Sequence, residues 1–346
     1  MSASFAAIPS AVPACRIVDI HGREVDRTGQ FVLYWMIAQR RLHSNFALQR
    51  AADWSRALAV PLVVLEPLRC DYPWASDRLH AFVINGMQDN RRAAAEMPLT
   101  YLPYVEPERT AGDGLLAALA RQAAVVVTDE FPCFFLPALL RAGARQVPCR
   151  MEAVDGNGLL PLRSSPKSFA RAFDFRRFLQ NELKRHWEAT PAREPCDGLQ
   201  GSWEPDRSLA RWNFAAISKP LDQLLDELPI DHAVGVSKIP GGTTAAGARL
   251  TEFVKGRLSA YADRRNDADY DAASGLSPYL HFGHLSAHEV FTAVTRSCGW
   301  TPADASAKAN GSSEGWWGLE RGAESFLDEL ITWRELGYHF CHHRRD

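Results

Sequence analysis

The chain carries no excess of either charge. Its 39 Lys and Arg stand against 41 Asp and Glu, a formal net charge of -2, so its overall balance gives no drive toward a polyanion, and DNA contact would need a local basic patch. Cysteine is sparse and scattered, at 15, 70, 133, 149, 196, 298 and 341. The lack of C-x-x-C spacing argues against a zinc site and against a secreted disulfide scaffold, so the expectation is no metal and a reducing, cytoplasmic setting. No run approaches the roughly 18 apolar residues of a membrane span, and the first twenty residues lack the basic start and continuous apolar core of a secretory signal. No membrane association is expected. Neither G-x-G-x-x-G nor a Walker sequence occurs, which removes the common glycine-loop phosphate sites.

What is present is a 346-residue chain, 46% hydrophobic, long enough for two domains with sizeable cores. Phe31–Met36, Pro61–Leu65 and Val125–Thr128 are short apolar, β-branched runs of the kind buried on both faces of a sheet. Helical patterns at Asn45–Leu58 and Leu115–Ala120 separate them. The alternation predicts an α/β domain with a doubly wound parallel sheet over 29–165, after an N-terminal extension over 1–28. Thr128-Asp129 lies at a strand end and reads as a crevice residue or, more simply, a loop or capping acid. A connector follows over 166–247, opening with a helical stretch at Ser168–Trp187 and continuing rich in Pro, Gly and acids. From 248 to 346 the pattern is all helical, with segments at Ala248–Tyr261, Ala287–Val294 and Glu324–Tyr338 and an exposed loop of low order at Ala303–Gly315.

One punctuation mark stands out chemically. Gly275-Leu276-Ser277-Pro278 ends one helix and starts another, with Ser277 placed to cap and Pro278 at the first helical position. Free amides there suit a phosphate; the plain alternative is an ordinary helix start. His281, His284 and His288 read as surface or packing histidines, although His284 and His288 stand at i, i+4. Arg264 and Arg265 read as a solvated or phosphate-neutralising pair, and Asp328, Glu329 and Glu335 as helix-surface acids pairing with neighbours such as Arg334.

Three stretches say more: VLYWMIAQRRLHSNFAL at 32–48, LTEFVKGRLSAYADRRNDADYDAASGLSPYLHFGHLSAHEV at 250–290 and ESFLDELITWRELGYHF at 324–340. Together they resemble the DNA photolyase/cryptochrome family, in particular class II cyclobutane pyrimidine dimer photolyases. The resemblance implies an antenna-type α/β domain followed by an all-α FAD-binding domain, and light-driven dimer repair by electron transfer from reduced FAD. By resemblance, Tyr261, Arg265, Ser274, Gly275, Leu276 and Ser277 contact FAD, and Arg265, Asn266 and Arg334 face DNA. Glu329 is the acid that bonds the dimer from a dry pocket. An antenna chromophore, deazaflavin or folate, is expected in the α/β domain. DNA containing pyrimidine dimers is the expected partner, and the protein is expected to be monomeric.

Where the family commonly has two basic residues, this chain has Trp333-Arg334. The helical domain is expected to be incomplete at Asp346, with Trp316, Trp317 and Phe326 exposed and the Glu324–Tyr338 helix short of packing partners. Alternatives on the same scaffold are a cryptochrome-like photoreceptor and an inactive fragment. A non-flavin nucleotide-binding protein leaves the 250–290 and 324–340 matches unexplained.

Overall fold

The computed structural model of the chain describes residues 8–344. Six strands, β1 (Ile17–Asp19), β2 (Phe31–Trp35), β3 (Leu62–Leu68), β4 (Thr100–Val105), β5 (Ala123–Glu130) and β6 (Arg150–Asp155), form one sheet in the order β1-β6-β5-β2-β3-β4. β2 to β6 are parallel, and β1 joins the edge antiparallel to β6. The segment expected as an N-terminal extension therefore supplies an edge strand.

The continuous apolar runs have a two-sided explanation. Phe31, Leu33 and Trp35 enter one core with Val63, Leu65 and Val126, while Val32 and Tyr34 enter the other with Val64, Val125 and Val127. Alternate side chains point to opposite faces, and both faces are covered. Helices α1 (Phe46–Leu58) and α2 (Asp77–Ala94) cover one side, and α3 (Leu115–Ala120) and α4 (Leu136–Ala144) the other. Asn45 starts α1 by accepting the amides of Ala47 and Leu48. After β4 the chain returns to the other side of β2, so the strand order reverses between β2 and β5. A crevice opens there.

The stretch over 166–247 holds α5 (Ala172–Glu182) and α6 (Leu221–Asp226) and straps the α/β unit. Cys196 and Leu199 reach the α1-side core, Trp203, Leu209 and Trp212 the opposite core, and Ile217, Leu224 and Leu225 pack against α2. Single apolar insertions at irregular intervals leave no period in the sequence.

Helices α7 (Thr243–Gly256), α8 (Tyr261–Arg264), α9 (Ser277–His281), α10 (Ala287–Ser297), α11 (Arg321–Leu327) and α12 (Arg334–His343) follow. Between α11 and α12 lies a π-helical turn, Asp328–Trp333, so 321–343 is one continuous helical rod. Trp316, Trp317 and Phe326 are 1%, 6% and 4% exposed, contrary to expectation. Trp187, Trp300 and Phe291 surround the two tryptophans with rings, and Phe253 and Tyr261 pack on Phe326. The loop before them is exposed but tied down: Lys184 donates to the carbonyls of Ser306 and Ala307, and Gln180 bonds Gly311 and Ser312.

Candidate functional site

The crevice at the carboxyl ends of β2 to β5 is a cavity of about 670 Å³. Its floor is Trp35, Leu65, Tyr104 and Leu116, and its rim includes the exposed rings of Trp74, Phe134 and Phe135. Gly143 lets the Trp35 indole lie flat, since a Cβ there would sit 2.5 Å from that ring. Some of its polar groups are held in place by buried partners. Arg40 pairs with buried Glu66 at 3.1 Å, and Glu106 accepts the amides of Cys70 and Gly112, both at 3.1 Å. Burial, reinforced by Glu106, pushes the Tyr104 hydroxyl up to about 12, so it stays a donor. An apolar, aromatic-walled cavity with a few oriented polar groups suits a flat organic ligand.

Asp129, at the end of β5, shapes that cavity without entering its chemistry. One carboxylate oxygen accepts the amides of Ile37, Ala38 and Gln39 at 2.7–3.0 Å, and the other accepts the Tyr34 hydroxyl at 2.7 Å. It is a fully buried acid within the last residues of strand β5, and it folds the β2–α1 turn over the crevice.

The second candidate lies on the helical side. Tyr261 packs its ring on Phe253 and Phe326, and the Arg265 guanidinium, 5.5 Å from the centre of that ring, bonds the Glu329 carboxylate. Glu329 first, then Tyr261, holds the Arg265 guanidinium above its usual value, so it is a fixed cation. Glu329 lies on the π-helical turn, and π turns are frequent at functional positions. The dry pocket expected around it is not formed by the described residues: its side chain is 37% exposed.

Ser274, Gly275, Leu276 and Ser277 form the turn before α9. Leu276 is fully buried in the same core as Tyr261. Gly275 takes φ +66°, and a Cβ there would meet the Arg249 guanidinium, which donates to the carbonyls of Ala273 and Ser274. Among the described residues, no acceptor meets the amides of Gly275 and Ser277. The helix start differs from expectation. Leu276 is the cap, Ser277 makes no capping bond, and α9 is only five residues long, so the turn amides, not a helix dipole, are what an anion would meet.

The other sequence candidates separate. Asn266 is exposed. Arg334 donates to the Asn157 carbonyl and covers the Tyr338 ring at 4.7 Å, so it is committed to the α/β unit. Asp328 grips Arg176 with both oxygens, at 2.7 and 2.9 Å. Glu335, expected on a helix surface, is buried at 1% and accepts the amides of Leu159 and Leu160 at 2.7 and 2.9 Å. His284 and His288 are packing residues held neutral by burial, His284 down to about 3, whereas His281 sits at the cavity rim against Phe134. Sequence reasoning missed the cavity residues and Arg249. The only available signal for the cavity was that Trp35 and Leu65 end apolar strands.

No family model matches the sequence. The chain is similar to the deoxyribodipyrimidine photo-lyase of Methanothermobacter thermautotrophicus, 29% identical over 336 residues, covering 96% of this chain and 66% of that protein. It is also 29% identical over 335 residues to the deoxyribodipyrimidine photo-lyase of Oryza sativa subsp. japonica, covering 92% of this chain and 59% of the relative. Among solved structures, the class III photolyase of Agrobacterium tumefaciens superposes with a TM-score of 0.64 at 18% identity, over 92% of this chain and 60% of that one. A Synechocystis cryptochrome gives 0.55 at 18%, over 90% and 61%. The likeness establishes a photolyase-like fold with an N-terminal parallel α/β domain, and the relatives' names support the photolyase/cryptochrome family. The chain spans 55% to 66% of the length of the curated relatives it matches.

Proposed function

We propose that the chain is a photolyase-type flavoprotein of the class II kind, acting in light-driven splitting of cyclobutane pyrimidine dimers in DNA. One observation carries the reading: Tyr261, Arg265 and Glu329, drawn from two separate motif stretches, meet in a single polar cluster that shares a core with the Ser274–Ser277 turn. The unpartnered amides of Gly275 and Ser277 fit a diphosphate, so Tyr261, Arg265, Ser274, Gly275, Leu276 and Ser277 would hold FAD. Reduced FAD, when bound, supplies the photoexcited electron that opens the cyclobutane ring.

The residues themselves orient. Arg265 fixes the Glu329 carboxylate, which accepts a ring N–H of the dimer, and Arg265 and Asn266 meet flanking phosphates. Arg334, already bonded within the chain, keeps a positioning role. The 670 Å³ cavity would take the antenna chromophore, a deazaflavin or folate, whose flat ring its aromatic walls would hold away from water.

The test is the visible spectrum of the purified chain at independently determined concentration, followed by dimer splitting under blue light. Near-stoichiometric flavin bands and light-dependent repair are expected. Glu329→Gln should lower repair about tenfold, the equivalent of ~1.4 kcal/mol for a charge-assisted hydrogen bond. Photoreduction without turnover would assign the chain to light sensing, and a colourless protein would reject the flavin reading.

A further inference from the structure

Helix α7 reaches two parts of the helical-side cluster from one face. Arg249 and Phe253 stand at i and i+4 on it. Phe253 is fully buried and packs on Tyr261 and Phe326, with ring centres 5.7 and 4.6 Å away. One turn earlier, Arg249 reaches the turn before α9: its Nε donates to the Ser274 carbonyl at 2.7 Å and its Nη2 to the Ala273 carbonyl at 3.1 Å. At the end of the helix Arg257 donates to Asp271 at 2.7 Å, so the 271–274 stretch is tied to α7 at both ends. The carboxylates beside Arg249, Glu252 and Asp271, are 54% and 70% exposed, and ion pairs so open to water contribute little. The two carbonyl bonds are therefore the main work of this guanidinium. Gly275 completes the fit, since its φ of +66° forms the turn and a Cβ on it would lie 2.5 Å from the Arg249 Nε.

We propose that Arg249 is a positioning residue for flavin binding: by holding the Ala273 and Ser274 carbonyls it pre-forms the turn whose Gly275 and Ser277 amides take the diphosphate. The ligand in this proposal rests on the flavin reading above, whereas the pre-forming of the turn is a property of the ligand-free chain. With both carbonyls engaged, the Gly275 and Ser277 amides are left without an acceptor among the described residues, ready for an anion. A turn fixed before binding spares the ligand the cost of ordering it. The grip needs a planar fork with two donors; a lysine ammonium is a point charge that serves one carbonyl at a time. Because Phe253 supports Tyr261 from the same helical face, α7 sets the turn and Tyr261 at a fixed spacing from each other.

The full chain is compared with Arg249→Ala and Arg249→Lys in two measurements. Hydrogen–deuterium exchange of the flavin-free proteins reads the turn at Leu276 and Leu280, whose amides donate to the Ser274 hydroxyl and the Leu276 carbonyl. Exchange there should speed severalfold in Arg249→Ala, stay unchanged in α10, and recover in part in Arg249→Lys. Titration with FAD should give a Kd raised about tenfold in Arg249→Ala, the equivalent of ~1.4 kcal/mol, with partial recovery in Arg249→Lys. Riboflavin, which has no diphosphate, should bind the parent and both variants alike. Unchanged exchange at Leu276 and Leu280 in Arg249→Ala, or a loss for riboflavin as large as that for FAD, would overturn the positioning role. A parent chain that binds no FAD rejects the flavin reading itself, and the exchange comparison then still decides whether Arg249 fixes the turn.

Discussion

Glu335 shows how far one side chain's setting departs from its type. It projects from α12 into a fully buried space, where it takes the amides of Leu159 and Leu160. Gly158 makes that approach feasible, because a Cβ there would lie 2.5 Å from the carboxyl. Burial pushes its pKa from the usual 4.5 to about 7, the two amide bonds and Arg334 opposing the shift. A carboxyl raised in the folded state binds its proton more tightly there than in the unfolded chain. The stability it contributes is therefore full below about pH 4.5 and lost as pH rises through about 7. Glu335→Gln, which mimics the protonated form, should flatten that dependence. Urea midpoints of the two proteins at pH 5 and pH 8 check this: the variant should gain on the parent as pH rises, and parallel profiles would reject the assignment.

Among the elements, the rod over 321–343 does two jobs with one helix. Its π turn presents Glu329 to Arg265 on the helical side, while α12, immediately after, presents Arg334 and Glu335 to the 157–160 loop. A regular α-helix advances about 100° per residue, so the wider π turn sets the angle between these two contacts. Deleting Thr332, inside the π turn, should rotate everything after it by about that angle. The expected result is that the Glu329–Arg265 pair survives and the Glu335 contact is lost. Faster amide exchange at Leu159 and Leu160, with unchanged protection in α11, is the measurable sign; unchanged exchange at both leucines would mean the rod absorbs the deletion.

Across the whole molecule, the helical part closes on the α/β unit through glycines that allow backbone to meet backbone. Gly283 takes φ +74°, and a Cβ on it would lie 1.9 Å from the Ala38 carbonyl. Its own carbonyl accepts the buried Arg41 guanidinium at 2.9 Å, and Arg41 also binds Gln39 and Ser44 on the loop that Asp129 organises. Gly86 likewise yields space to the His284 ring, which accepts the Gly242 amide at 3.0 Å. The two parts therefore meet on the same loop that lines the cavity. Gly283→Ala should cost on the order of 3 kcal/mol, combining backbone strain with a steric clash. Denaturant unfolding measures it, and a loss under about 0.5 kcal/mol, the range of a neutral surface change, would show that the contact is soft.

Much of the architecture was legible because local rules coincide with the global fold. Apolar β-branched runs become parallel strands wherever both faces are covered, and the stretch over 46–58 becomes a helix because Asn45 caps it and its apolar face is continuous. The polar cluster was legible only in part. Motif resemblance singled out Tyr261, Arg265 and Glu329, but periodicity treats Glu329, Asp328 and Glu335 as equivalent helix acids. Tertiary structure separates them, giving Glu329 a half-buried arginine, Asp328 a clamp on Arg176 and Glu335 a buried pair of amides. The cavity was not legible, since its residues come from strand ends and helices that share no sequence spacing. Composition and periodicity determine the buried strands and the amphipathic helices; the burial of Trp316, Trp317, Phe326 and Glu335, and which distant residues become neighbours, depend on the strand order and on how the helical rod docks, and only the folded chain sets those.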